Sequence, residues 1–98
     1  MTPPRRIARV LVSGRVQGVG YRAWIHHQAE LRGLEGWVRN RPDGSVEAVF
    51  AGEPQAVDLM IAACREGPRG SRVEAVAVKE AEEGAVGPGG GFRVLATG

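Results

Sequence analysis

A chain of 98 residues with 43% hydrophobic and 24% charged residues has the composition of one ordinary globular domain, which excludes wholesale disorder. Its longest apolar run, residues 59–64, is far shorter than the roughly 20 residues that cross a membrane. The net charge of +2 does not by itself indicate nucleic-acid binding, and one cysteine excludes an internal disulfide or a cysteine-rich zinc site. We expect a soluble, cytoplasmic protein with a single domain over residues 1–98.

The first third of the chain changes from a strand pattern to a helix pattern. Residues 1–4 are a lead-in with two prolines that we expect to fray. Residues 6–16 alternate between apolar and polar side chains, which predicts a strand, and two glycines interrupt the alternation within residues 17–20. Over residues 21–32 the apolar side chains recur at helical spacing, and Gly33 occupies the usual position after a helix. The predicted apolar stripe of this helix comprises Tyr21, Trp24, Ile25, Ala29 and Leu31.

Two more strands and a second helix follow. Residues 34–40 and 45–51 predict strands, joined by a segment, residues 41–44, with the composition of a tight hairpin turn. The second helix begins at Pro54, because proline suits a first helical position, and it ends before Gly67. Its predicted apolar stripe comprises Ala56, Val57, Met60, Ala63 and Cys64, so the cysteine is interpreted as a core residue and not as a nucleophile.

The last third of the chain completes a sheet. Residues 72–80 predict a fourth strand and residues 92–96 a short fifth, while the glycine-rich residues 84–91 are interpreted as a mobile surface loop. The order β-α-β-β-α-β with right-handed crossovers predicts an α+β, ferredoxin-like sandwich. Its sheet is mixed but mostly antiparallel, with both helices on one face and a short extra C-terminal strand. Because this fold hosts many functions, the function has to be read from a site.

The segment Gly14-Arg-Val-Gln-Gly-Val-Gly-Tyr-Arg22 runs from the first strand into the first helix. A glycine-bearing turn at a helix N-terminus directs several N–H groups at one point, and the helix dipole adds partial positive charge. Gly18 and Gly20 leave room for an anion, and Arg22 can reach back over the same concavity. The pattern predicts phosphate binding, with a plain strand-to-helix turn as the alternative. Its spacing fits neither a Walker loop nor a dinucleotide fingerprint.

A second segment, Gly36-Trp-Val-Arg-Asn40, ends the second strand. Asn40 carries a donor and an acceptor and can hold a water and a substrate oxygen together, although asparagine at a strand end more commonly supports the turn. The adjacent His26 and His27 point about 100° apart on a helix, so they cannot form a metal-binding pair. The arginines that flank the two segments are Arg15, Arg22, Arg39 and Arg41.

Together the two segments, with Gly44, Val46 and Gly52 at set spacings, resemble the two signature motifs of the acylphosphatase family over essentially the whole chain. The resemblance implies that Arg22 and Asn40 are catalytic, with Asn40 positioning the attacking water. It also implies a phosphate-binding loop whose substrate-binding residues are Val16, Gln17, Gly18, Val19, Gly20 and Tyr21.

The implied substrates are acyl phosphates such as acetyl or carbamoyl phosphate. An acyl phosphate is an activated anhydride, so we expect no metal, no cofactor and no covalent nucleophile. Two residues near the loop and the turn depart from the family pattern: Arg41 stands where many members have threonine, and Gly20 where some have an aromatic residue.

Two functions of other classes remain open. RNA recognition motifs share this topology, but they need stacking aromatic side chains on the central strands, where the first strand has none and the third has only Phe50. A small-anion-binding domain without catalysis, or part of a larger carbamoyl-phosphate-using maturation protein, is the other alternative. The length favours a free-standing enzyme. We expect a monomer that acts on a small molecule, with no nucleic-acid or membrane partner.

Overall fold

The computed structural model describes residues 4–98, so all but one residue of the lead-in predicted to fray lies outside the described residues. Helix α1 spans Tyr21–Leu31 and helix α2 spans Pro54–Glu66. The strands are β1 Arg6–Arg15, β2 Glu35–Asn40, β3 Val46–Gly52, β4 Arg72–Glu80 and β5 Phe92–Val94. They form one sheet in the order β4-β1-β3-β2-β5, in which only β2 and β5 pair in parallel. The predicted fold class is confirmed.

The central strand β3 pairs antiparallel with β1 on one side and with β2 on the other. Val46, its first residue, lies opposite Val12 of β1 and opposite Asn40 of β2. Since β1 and β2 are both antiparallel to β3, they run in the same direction and their carboxyl ends meet at one edge of the sheet. The two segments singled out in the sequence follow or end these two strands and are therefore brought to the same edge.

The main core lies between the sheet and the two helices. The predicted alternation of β1 is confirmed, because Ala8, Val10 and Val12 are all buried in this core. Ile25 of α1 and Met60 of α2 pack against the same face of the sheet. Burial of side chains of this size contributes about 1.5–3 kcal/mol each, so this layer supplies most of the driving force that holds the helices in place.

Helix α1 ends as predicted but buries a narrower stripe than predicted. The backbone N–H of Gly33 donates to the Glu30 carbonyl at 3.1 Å, and that of Leu34 donates to the Ala29 carbonyl at 3.0 Å, which is a Schellman termination. The prediction that Leu31 belongs to the buried stripe is wrong, since it is 67% exposed. Leu31 follows Ala29 by two positions, about 200° around the helix, and so faces away from the core.

The glycine-rich segment is more ordered at its start than the loop interpretation of residues 84–91 implies. A short 3-10 helix, Glu83–Ala85, precedes Val86, which is buried. The indole N–H of Trp37 donates to the Ala85 carbonyl at 2.8 Å. The physical reason is that the sheet face opposite the helices carries apolar side chains that need cover, namely Ile7, Trp37, Val49 and Ala51.

Gly36 is the position where β2 can tolerate no side chain. Its φ is 133°, and a Cβ built there would lie 1.8 Å from the Val49 carbonyl oxygen of β3. We expect Gly36→Ala to lower the free energy of unfolding by roughly 3 kcal/mol or more, because either the backbone pairing or the strand conformation has to give way. Urea denaturation followed by circular dichroism measures this change.

The matched control is Gly84→Ala, where a Cβ would meet no atom within 4 Å and φ is not in the left-handed region. We expect its free energy of unfolding to stay within about 0.5 kcal/mol of the parent value. Equal stability of the two variants would contradict the close approach of β2 to β3 at Gly36.

Candidate functional site

A pocket of about 280 Å³ opens at the sheet edge where β1 and β2 end. It lies between the loop that follows β1, the first turn of α1 and the last residue of β2. The pocket therefore brings Arg22 and Asn40, which are 18 positions apart in the sequence, into one cavity. The lining residues are Val16, Gln17, Gly18, Gly20, Tyr21, Arg22, Ala23, Asn40 and Val94.

The loop after β1 presents unpaired backbone donors to this pocket. Gly18 and Gly20 have φ values of 73° and 76°, and a Cβ at either position would meet no atom, so glycine is required there by conformation and not by crowding. The first hydrogen bond of α1 runs from the Trp24 N–H to the Gly20 carbonyl at 3.0 Å. Within residues 4–98, the amides of residues 18–23 donate to no acceptor. Free amides at a helix N-terminus are the usual elements of an anion site.

Arg22 adds a full positive charge to these donors. Its Nη1 atom donates to the Leu95 carbonyl at 3.4 Å, and no carboxylate of residues 4–98 lies within 4.0 Å of its guanidinium. None of the lining residues is acidic. The charge and the α1 dipole act in the same sense, so the pocket favours a negatively charged ligand.

Asn40 presents an acceptor that the fold itself leaves unsatisfied. Its Oδ1 atom is buried and has no hydrogen-bond partner among the described residues. The Asn40 backbone is well held, since it pairs with Val46 on one side and its carbonyl accepts the Gly98 N–H at 3.1 Å on the other. A buried acceptor without a partner is rare and requires an explanation, and a water molecule or a ligand bound in the pocket provides one.

Of the other predicted loop residues, three line the pocket and also anchor the loop with their side chains, whereas one does not line it. The Val16 side chain is buried, and the Gln17 side-chain amide donates to two carbonyls of the β2–β3 hairpin. The Tyr21 hydroxyl donates to the Cys64 carbonyl at 2.8 Å, and burial raises the pKa of that phenol far above its usual range. Val19 is the one predicted site residue that does not line the pocket, because its side chain packs against the main core.

Two of the flanking arginines are engaged outside the pocket. Arg39 Nε and Arg41 Nη1 lie 2.9 and 3.3 Å from Glu47 Oε1, and Arg9 Nη1 lies 2.5 Å from Glu47 Oε2. Burial acts to raise the pKa of Glu47, but the hydrogen bonds from Arg39 and Arg9 outweigh it and the net pKa is lowered. This ionised cluster keeps Arg39 and Arg41 from serving as free anion-binding groups.

The sequence reasoning missed two apolar residues of the pocket wall. Ala23 follows Arg22 in α1, and Val94 lies on β5 opposite Val38 of β2. Val94 could have been found from the topology of the sheet, because a strand that pairs in parallel with β2 has its carboxyl end next to Asn40. With Val16, these side chains give the pocket an apolar part beside its positively charged part.

The residues that could act as a nucleophile or as a metal ligand do not line the pocket. Cys64 is fully buried in the main core, and that burial raises the pKa of its thiol to about 12, which suppresses the thiolate. His26 approaches Glu30 at 3.5 Å on the same helix, and its ring lies tilted beside that of Phe92, 6.1 Å between centroids. Residues 4–98 contain no cluster of three or more histidine, cysteine or carboxylate side chains that could hold a metal ion, and no helix among them is long and apolar enough to cross a membrane.

Known proteins resemble the chain over nearly all of its length. The sequence model of the Acylphosphatase family matches residues 8–94. An acylphosphatase of Rhodopseudomonas palustris is 55% identical over 94 residues, which cover 93% of this chain and 95% of the relative. An acylphosphatase of Bradyrhizobium diazoefficiens is 64% identical over 72 residues, covering 74% and 73%. The structure of an acylphosphatase from Coxiella burnetii matches with a TM-score of 0.85 and 35% identity, covering 94% of each chain. The chain therefore belongs to the acylphosphatase family and catalyses the hydrolysis of acyl phosphates.

Proposed function

We propose that residues 1–98, acting as a single domain, hydrolyse acyl phosphates by in-line attack of a water that Asn40 positions. The phosphoryl group is held by Arg22 and by the backbone amides of residues 16–22. The observation that carries this proposal is the convergence of three features in one pocket: amides without acceptors, an arginine without a carboxylate, and a buried asparagine oxygen without a partner.

The loop amides and Arg22 bind the phosphoryl oxygens in this proposal. Both supply donors that are already oriented before the substrate arrives, and the negative charge of the phosphoryl group is met by a guanidinium and a helix dipole. The side chains of the loop serve mainly to anchor it, so most of its residues contribute through their backbone: Val16, Gln17, Gly18, Val19, Gly20 and Tyr21.

Asn40 orients the nucleophile. Its Oδ1 accepts a hydrogen bond from the water, and the pairing of the Asn40 backbone with Val46 holds that acceptor, and so the water, in place behind the phosphorus. The water oxygen forms a bond to phosphorus as the bond from phosphorus to the acyl oxygen breaks. The carboxylate leaves with the electron pair, and the proton of the water passes to the phosphate product or to solvent. A carboxylate needs no general acid, because its pKa of about 4 makes it a good leaving group.

The remaining proposals concern partners and location. We propose a monomer that needs no cofactor and that acts in the cytoplasm, where a buried free thiol such as Cys64 is stable. The nucleic-acid alternative is not favoured, because Trp37 is 8% exposed and lies beneath the guanidinium groups of Arg9 and Arg39, at 5.8 and 5.1 Å from its ring centroid. Phe50 faces the helices in the main core and is fully buried.

The reaction class is tested by phosphate release from benzoyl phosphate and from para-nitrophenyl phosphate, each with and without a metal chelator. We expect cleavage of benzoyl phosphate alone, with a rate that chelation changes by less than about twofold, because the anhydride is already activated. Comparable cleavage of the phosphate monoester, or a large drop that magnesium or zinc reverses, would contradict the proposal.

Replacement of Arg22 tests the phosphoryl-binding role. We expect Arg22→Gln to raise the inhibition constant for inorganic phosphate by roughly 10- to 100-fold and to lower turnover as well, because one charged hydrogen-bonding contact is lost. Steady-state kinetics with benzoyl phosphate and phosphate as competitor measures both quantities. Arg69→Gln removes an exposed arginine outside the pocket and serves as the control. Unchanged phosphate inhibition in Arg22→Gln would refute this role.

Replacement of Asn40 tests the positioning of water. We expect Asn40→Ala to lower turnover by about 10²–10³ while phosphate inhibition stays within about twofold. The melting temperature is expected not to fall, because the Asn40 side chain makes no hydrogen bond within residues 4–98 that the substitution could remove. Gln55→Ala, on the exposed side of α2, is the control. A folded Asn40→Ala enzyme with near-normal turnover would exclude the proposed role.

A further inference from the structure

The side chain of Gln17 connects the two halves of the site. Its Nε2 atom donates to the Arg41 carbonyl and to the Ser45 carbonyl, each at 2.8 Å. A carboxamide NH₂ group has two donors, and both are used. The acceptors are backbone atoms, so the contact is indifferent to which side chains occupy those two positions. Gln17 belongs to the phosphate-binding loop, and its acceptors lie in the hairpin that begins directly after Asn40.

The hairpin otherwise holds itself together by internal contacts. The Arg41 N–H donates to the Ser45 carbonyl at 2.8 Å, and the Gly44 N–H donates to the Arg41 carbonyl at 3.1 Å. Asp43 Oδ1 accepts the Ser45 N–H at 2.9 Å and the Ser45 hydroxyl at 2.6 Å. These bonds define the shape of the turn but not its position relative to the loop. Within residues 4–98, Gln17 makes the only hydrogen bonds between the loop and this turn.

The phosphate-binding loop, in contrast, has anchors of its own. Val16 is 1% exposed, Val19 packs against the main core, and the Tyr21 hydroxyl is bonded to the Cys64 carbonyl. Loss of the Gln17 contact would therefore leave the loop amides and Arg22 in place. It would free the turn after Asn40 to shift relative to the loop, while Asn40 keeps its backbone pairing with Val46, so the change expected is a small displacement of the Asn40 side chain.

We propose that Gln17 is a positioning residue that sets the distance between the phosphoryl-binding loop and the water-holding Asn40. This inference rests on the proposed function, because it assigns Gln17 the task of aligning two groups whose roles are proposed there. Alignment of a nucleophile matters steeply, since a displacement of about 1 Å can lower a rate by about 100-fold. Gln17 thus acts on the rate through Asn40, and its side chain binds no phosphate.

The test is a double-mutant cycle with Gln17→Met and Asn40→Ala. Methionine keeps the length and the unbranched shape of glutamine but donates no hydrogen bond. We expect Gln17→Met to lower kcat for benzoyl phosphate by about 10- to 100-fold in the parent enzyme and by less than about threefold in the Asn40→Ala background. Phosphate inhibition is expected to change by less than about threefold in both. Gln55→Met controls for a loss of carboxamide at an exposed site.

Three outcomes would overturn the proposal. They are an equal loss of kcat in both backgrounds, a loss of phosphate binding that matches the loss of rate, and a Gln17→Met enzyme as active as the Gln55→Met control. Near-normal turnover of the Asn40→Ala enzyme would refute the proposed function and this inference together. If Asn40→Ala lowers turnover as expected but the effects of the two substitutions on kcat are additive, only this inference is refuted. If Gln17→Met fails to fold, Gln17→Asn takes its place in the same double-mutant cycle. Asparagine is one methylene shorter but still a hydrogen-bond donor.

Discussion

The double pairing of β3 is the constraint on which the site depends. Val46 lies opposite Val12 on one side and Asn40 on the other, so one strand aligns β1 and β2 relative to each other. A slip of one residue in the β2–β3 pairing would turn every side chain of β2 to the opposite face, and the Asn40 carboxamide would leave the pocket. The contact of Gly36 with the Val49 carbonyl admits only one close packing of β2 on β3. Register in this sheet is therefore a property of the active site as well as of the core.

Charged groups on the sheet have hydrogen-bonding partners, whereas several polar groups in the pocket have none among the described residues. Glu47 engages three arginines on the sheet face opposite the helices, and Arg5 and Arg6 are each bonded to two carboxylates. The pocket shows the opposite arrangement, with donors and an acceptor left without partners. A buried acceptor such as Asn40 Oδ1 costs about 1–3 kcal/mol when nothing bonds to it, which is a sizeable fraction of the stability of a small domain. A water or a substrate bound in the pocket can supply the missing hydrogen bond, as the arginines do for Glu47 on the sheet.

Much of the fold was accessible from the sequence because its signals are local. The alternation of β1, the helical stripe of α2 and the glycine stops each depend on neighbouring residues, and the loop with Arg22 was recognisable from its glycines. What escaped prediction depends on tertiary contacts. The cover that Val86 provides over Trp37 follows from an apolar second sheet face, which no local pattern reveals. Likewise, the ion pair of Arg39 with Glu47 depends on the register of β2 with β3, and the reach of the Gln17 side chain depends on how close the loop lies to the hairpin.

The bond from the Tyr21 hydroxyl to the Cys64 carbonyl has a consequence for motion. Cys64 lies in the last turn of α2, where carbonyls lack helical partners, so Tyr21 caps one helix from the start of the other. The residue next to Arg22 is thereby fastened to the interior, and the start of α1 cannot move away from the core without breaking this bond. The start of α1 is thus held in position by the core without any ligand. We expect the loop at this end of the sheet to keep its shape until the core itself unfolds.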